Sequence, residues 1–366
     1  MMRPRAREAG ISFGELPTGP KNAISDVPGV AVGHSTIIKG SGALKPGSGP
    51  VRTGVTAVLP HGGNLYERPV RAAFFDFNGC GGLQGSLQIR EFGMIDTPIM
   101  LTNTMSMGSV ANGTVKYMLM KNPGAGIESD TIIPIVSECD DSYLNDSRGM
   151  HVKEEHVFEA LQKASAEVVE GAVGAGTGMS SYDFKGGIGT SSRIVVLDEA
   201  RYNLGTLVLT NHGDRDELRI DGVPVGRLLG RPKKSRPEQG SIVMVVGTDA
   251  PVDPRQLGRL ARRAIMGLAV TGSCSHNGSG DIVISFSTAN VQERRKTSAL
   301  LTQTALTDRS LDSFFRATID SISESITNSL FKAETMDGRD GHVVPALPID
   351  ETLGIMEDHG RLARRR

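Results

Sequence analysis

Short β-branched runs, each cut off by glycine or proline, set the terms on which this 366-residue chain can fold. Residues 54–60, 72–77, 97–104 and 131–136 are apolar, too short for stable helices and bounded by turn residues, so they read as buried strands. Residues 194–197 and 206–210 lie a short polar link apart and predict a hairpin, and 241–247 adds a further β-branched strand. Between these runs the period changes from two to about 3.6. Residues 110–120 and 154–170 predict helices, the second with Val157, Leu161, Ala164, Val168 and Val169 on one stripe. Asp253-Pro254 is an N-cap acid followed by proline at the first helical position, and Leu257, Leu260, Ala261, Ala264, Ile265 and Leu268 give residues 254–270 a buried face. The last helix, 311–333, repeats Leu311, Phe315, Ile319, Ile322, Ile326 and Leu330 at steps of three or four. Strand pairs with a few long helices make an α+β or layered α/β fold, and with no internal repeat or linker the chain reads as one domain, 1–366.

Composition removes several functions. Forty basic side chains against 41 acidic ones leave no global field for nucleic acid or an anionic membrane, and the absence of tryptophan argues against a base-stacking surface. No run approaches the roughly 18 apolar residues of a membrane span. Residues 1–10 are polar and basic, unlike a secretory signal. Cys80, Cys139 and Cys274 are an odd, scattered set that suits a reducing, cytoplasmic setting, and no CxxC or HxxxH spacing calls for zinc. No metal or cofactor is expected. Residues 39–52 and 231–240 read as exposed loops. The 45 glycines cluster, most densely at 171–192, but no GK[ST] or GxGxxG pattern makes that stretch a phosphate loop.

Chemistry concentrates at Ser273-Cys274-Ser275-His276-Asn277-Gly278-Ser279-Gly280-Asp281, between the 254–270 helix and the alternating run 282–286. Read blandly, this is a tight turn. Three features favour a chemical role for Ser279. Gly278 leaves the preceding carbonyl unshielded, Gly280 leaves room before the hydroxyl, and no GxSxG elbow or Ser-His-Asp set supplies a conventional base. If the chain cut itself before Ser279, the freed α-amine, with an ordinary pKa of about 7.7–8, would be that base.

Several long, ordered blocks carry a resemblance. They are GVTAVLPHGGNLYERPVRAAFFDFNGCGGLQG, QIREFGMIDTPIMLTNTMSMGSV, SECDDSYLNDSRGMHV, GAGTGMSSYDFKGGIGTSSR, DGVPVG and NGSGDIVISFSTAN, spread over residues 29–290. In these the chain resembles the DmpA-like peptidases, which comprise L-aminopeptidase/D-esterase/amidases and β-peptidyl aminopeptidases. The resemblance implies a four-layer αββα sandwich, like the N-terminal nucleophile hydrolases but with different connectivity. It implies a precursor cleaved between Gly278 and Ser279 into an α-chain, 1–278, and a β-chain, 279–366, assembled into homo-oligomers, commonly tetramers. Ser279 is then the nucleophile and Asn211 the oxyanion donor. On the last helix Ser321 matches the family's serine, but two residues on stands Ser323, and the acid comes at Glu324. In the acidic loop holding Glu138, Asp140, Asp141 and Tyr143, Glu138 falls where the family binds the substrate amine, and its active-site tyrosine falls at Asp140 or Tyr143. The activity implied is release of small N-terminal residues (L-, D- or β-) from amides, esters or short peptides. The rivals are an acyltransferase on a similar self-cleaving scaffold and a non-catalytic binding protein.

Overall fold

The computed structural model describes residues 3–230, 240–294 and 298–362. Nearly all of the expected 231–240 loop lies outside them. Two mixed sheets face each other. One has five strands, in the order Ala31–Lys39, Val51–Leu59, Ile99–Asn103, Ile135–Cys139 and Leu83–Gln84. The other has six, in the order Ile188–Leu197, Ala200–Asn211, Gly240–Thr248, Ser279–Ser287, Val70–Gly79 and Met94–Ile95. Helices Met107–Lys121 and Glu154–Gln162 cover the first sheet, and Pro254–Val270 and Asp312–Lys332 cover the second. This is the four-layer αββα sandwich.

The period-2 rule assigns each strand face to a layer. Val243, Val245 and Ile284 point between the sheets, against Val58, Leu101 and Ile135. Their neighbours Met244, Val246 and Val283 point the other way, into a core with Leu257, Leu260, Ile322 and Ile326 of the helices. Val55, Ala57, Met100 and Val136 do the same on the far side, against Val110, Val157 and Leu161. Strands buried on both faces read as unbroken apolar runs, which is why they were visible in the sequence.

The helix Pro254–Val270 starts as expected. Asp253 accepts from Gln256 N at 2.7 Å, and Gln256 Oε1 accepts from Asp253 N at 3.1 Å. The 154–170 expectation is corrected, because the helix stops at Gln162. Beyond it Ser165 pairs its backbone with Val32, the Val32 N–H donating to Ser165 O at 2.9 Å, so sheet pairing overrides the helical stripe. The 131–136 strand is shifted to Ile135–Cys139, beginning after Pro134. The glycine-dense 171–192 stretch is partly strand, since Ile188–Leu197 runs through its end. Gly189 is there for close approach, because a Cβ on it would lie 1.9 Å from Ser325 O of the covering helix. The expected hairpin forms, with Ile188 opposite Leu209. Among the described residues no helix is long and apolar enough to cross a membrane.

The last helix is buried on two sides. Its apolar stripe faces the Pro254–Val270 helix, and a hydroxyl stripe at Ser321, Ser325 and Ser329 faces the sheet. Thr206 Oγ1 lies 2.8 Å from Ser321 Oγ and 2.7 Å from Ser325 Oγ, and Thr210 Oγ1 lies 2.9 Å from Ser329 Oγ. A sheet face of threonines thus meets a helix face of serines, each satisfying the other's buried polar atoms.

Candidate active site

The segment after the Pro254–Val270 helix closes in a β-turn on Asn277-Gly278, with the Ser279 N–H donating to His276 O at 2.8 Å. Asn78 Nδ2 donates to the same carbonyl at 2.8 Å, so the strand Val70–Gly79 pins the turn from the side. Ser279 opens the central strand Ser279–Ser287 and is only 3% exposed. Its Oγ donates to Asp281 Oδ1 at 2.8 Å. Burial raises the Asp281 pKa, while the hydrogen bonds from Ser279 and Ser275 pull it back. A carboxylate two residues downstream therefore accepts the hydroxyl's hydrogen bond. The space expected in front of Gly280 is occupied instead, since a Cβ there would lie 2.5 Å from Cys80 O. Glycine is needed for backbone contact.

Register brings the other candidates to the same sheet end. Asn211, Ser241 and Gly280 form one row across three adjacent strands. At about 4.8 Å per strand, Asn211 stands roughly 10 Å from the Gly280 backbone. It is buried, and its amide is fixed at both ends. Oδ1 accepts from Ser180 N at 3.0 Å and Nδ2 donates to Asp140 O at 2.9 Å. The loop supplying Ser180 is held by Lys185, which is fully buried and donates its ammonium to Gly176 O, Met179 O and Gly186 O at 3.0, 2.6 and 2.8 Å.

Glu138 comes from the facing sheet, whose strand is tied across the gap by Cys139 Sγ, 3.8 Å from Leu209 O. It is 4% exposed, accepts from Gly82 N at 2.8 Å and accepts the Thr104 hydroxyl. Burial raises its pKa against those two bonds, and Asp140 adds to the rise. A Cβ on Gly81 would lie 3.4 Å from Glu138 Oε1 and 3.5 Å from the Gly280 Cα, so the carboxylate looks across Gly81 at the residue after Ser279. Asp140 is exposed and its carboxylate caps Ser142, accepting from N at 2.9 Å and Oγ at 2.8 Å. It reaches the site through its carbonyl. The Tyr143 ring stacks on His342 at 4.3 Å.

Ser321 and Glu324 are not brought to Ser279. The Ser321 partners are Ser191 Oγ at 2.7 Å and Thr206, which lies five residues before Asn211, about 17 Å back along the strand. Glu324 is fully buried in an ion network, with Arg193 and Arg7 each at 2.7 Å and Asn22 Nδ2 donating at 2.6 Å. Burial would raise its pKa, but the Arg7 hydrogen bond and the Arg193 charge outweigh that and lower it. Sequence reasoning missed Asp281, Thr104, Asn78 and Lys185. Asp281 lay in the sequence block around Ser279, but only the paired strand shows its contact with the Ser279 hydroxyl.

Two facing sheets between helix layers, with a buried serine opening a central strand, define the N-terminal nucleophile type of hydrolase. The chain belongs to peptidase family S58, whose model matches residues 22–344. It is 42% identical to a β-peptidyl aminopeptidase, BapA, of Sphingosinicella microcystinivorans, over 98% of this chain and 93% of that one. Among solved structures it superimposes on the PH0078 protein of Pyrococcus horikoshii OT3 with a TM-score of 0.95 at 50% identity, covering 98% of this chain and 100% of that one. With the L-aminopeptidase D-Ala-esterase/amidase of Ochrobactrum anthropi, described as a prototype for the serine aminopeptidases and a variant of the Ntn hydrolase fold, the TM-score is 0.92 at 40% identity, covering 99% and 100%. The chain is thus a hydrolase of the serine aminopeptidase class, acting on peptides or amides, and neither the acyltransferase nor the binding-protein reading is favoured.

Proposed function

We propose that the chain cuts itself between Gly278 and Ser279 and then works as an aminopeptidase whose nucleophile is the new N-terminal serine. The observation that carries this reading is the Ser279 Oγ hydrogen bond to Asp281 at 2.8 Å, beside a turn centred on Asn277-Gly278. In the uncut chain the Ser279 nitrogen is an amide and takes no proton. Asp281 accepts the Oγ proton as Oγ bonds to the Gly278 carbonyl carbon. The C–N bond then breaks, the nitrogen leaves with that proton, and an ester links Gly278 to Ser279 Oγ. Water hydrolyses the ester, leaving a Gly278 carboxylate and a serine with free amine and hydroxyl.

In turnover that amine is the base, with an ordinary pKa near neutrality. It takes the Oγ proton as Oγ attacks the substrate carbonyl and returns it to the leaving amine, after which water deacylates the enzyme. Asn211 Nδ2 spends one of its two hydrogens on Asp140 O, which leaves the other for the oxyanion. Glu138, accepting one bond per oxygen, keeps lone pairs for the substrate ammonium. Asp140 fixes Asn211 through its backbone, and Tyr143 borders the same loop. Ser321 and Glu324 brace the helix against the sheet. The relatives' names support small L-, D- or β-residues at the substrate N-terminus. A family match across 22–344 supports one domain, and free cysteines support a cytoplasmic setting. Assembly of the processed chains into a homo-oligomer, a tetramer as in the resembled family, completes the proposal.

The test is turnover of p-nitroanilides of small L- and β-residues by the aged protein. Asn211→Ala should lower kcat about 10²–10³-fold with KM little changed, the cost of one oxyanion donor. No turnover of any small amide by the wild type, or an unchanged kcat in the variant, would sink the assignment.

A further inference from the structure

The segment that leads into Ser279 carries a second cluster, outside the machinery above. Cys274 Sγ, a ring nitrogen of His276 and a carboxylate oxygen of Glu217 all lie within 4.8 Å of one another. Glu217 ends the 3-10 turn Arg215–Glu217, and the chain passes so close to it that a Cβ on Gly272 would lie 1.8 Å from Glu217 O. His276 Nε2 is 2.9 Å from Glu217 Oε1, yet it is a buried atom that makes no directed hydrogen bond. Cys274 Sγ lies 3.5 Å from the same oxygen. Around one tetrahedral zinc ion, bonds of about 2.0 Å to N and O and about 2.3 Å to S hold the ligand atoms roughly 3.3–3.5 Å apart. The His276–Glu217 and Cys274–Glu217 separations, 2.9 and 3.5 Å, are within a few tenths of an ångström of that, and Cys274 Sγ lies within 4.8 Å of a His276 ring nitrogen. Cys274 is exposed, so an ion can enter and a water can fill the fourth position. Spacing motifs do not reveal the set, because Cys274 and His276 are two residues apart and the third donor comes from 57 residues upstream.

We propose that Glu217, Cys274 and His276 form a site for a borderline-soft divalent cation of the zinc class, which clamps the segment before Ser279 to the 215–217 turn. A thiolate, an imidazole and a carboxylate together favour zinc or cobalt over magnesium or calcium. The clamp is placed to matter. His276 is the residue whose carbonyl receives the Ser279 and Asn78 N–H groups, so an ion on its ring restrains the turn that presents Gly278. The inference rests on the self-cleavage reading only in treating that turn as the one to be cut.

The experiment uses the full Ser279→Ala chain, which stays uncut, titrated with Co²⁺ and then with Zn²⁺ in competition. The site predicts a near-ultraviolet thiolate-to-cobalt band at one equivalent, lost in the added Cys274→Ser variant and retained in Cys80→Ser. Zinc affinity should fall about tenfold or more in His276→Ala and in Glu217→Gln. Both exchanges are at partly exposed positions, and circular dichroism checks that each variant is folded. Absence of the band, or a band that survives Cys274→Ser, overturns the proposal. A band in a protein whose wild type never cleaves would uphold the site and sink the self-cleavage reading, so the two failures are distinguishable.

Discussion

At the scale of single residues, the role given to Ser279 divides between two bases, and this can be separated by mutation. Asp281→Asn keeps the shape of the side chain but cannot take the Oγ proton, so scission should slow by about 10²–10⁴, the range of one general base. A time course on denaturing gels reads this. Unchanged scission would remove Asp281 from the first step. Asp141 makes a second residue-scale prediction. Burial pushes its pKa up to about 7, against hydrogen bonds from Thr53 and Asn145. Its folded pKa lies above the unfolded value of about 3.9, so its favourable contribution is complete below that value and is lost as pH rises toward 7. One proton gives a slope on the order of 1.4 kcal/mol per pH unit in that window. Asp141→Asn should therefore flatten the fall of Tm between pH 4 and 7 relative to wild type, and an equal fall in both would contradict the assignment. The serine and its turn were legible because glycine, asparagine and serine announce a turn by type. Asp281 was not, because a carboxylate two residues along a strand becomes a partner only once the strand is paired and buried.

At the scale of elements, the helix Asp312–Lys332 shows what period alone can and cannot read. Its apolar stripe was readable by period, and its ends came within a residue of 311–333. The polar face was harder: the family resemblance singled out Ser321, and period alone could not show that it meets threonines of the sheet. Ser321→Ala should change kcat less than about tenfold and cost roughly 1 kcal/mol for the lost hydrogen bonds. Glu324→Ala should cost about 3–5 kcal/mol, because it leaves Arg193 buried without its carboxylate. Thermal melts and kinetics together decide the point. A hundredfold loss of kcat with an unchanged Tm would return either residue to the chemistry. The truncation of the 154–170 stripe at Gln162 teaches a related lesson: periodicity continues past the point at which Ser165 finds a strand to pair with.

At the scale of the whole molecule, the four layers are a consequence of strands apolar on both faces, since such strands need a sheet on one side and helices on the other. Beyond the local hairpin, which strands are neighbours was not readable, because pairing such as Ser279–Ser287 beside Val70–Gly79 depends on contacts across about 200 residues. Strand pairing within the six-stranded sheet sets Ser279 and Asn211 at one end, and Glu138 reaches the same end from the facing sheet, across Gly81. The central claim is that this architecture exists to cut one bond and then to use the serine it frees. Intact mass and N-terminal sequencing of the purified protein, aged beside Ser279→Ala, test it most directly. The wild type should resolve into residues 1–278 and a fragment beginning Ser279-Gly280-Asp281, while the variant stays a single chain of about 38.9 kDa. A wild type that remains one 38.9 kDa chain, indistinguishable in its course from the variant, would contradict the account.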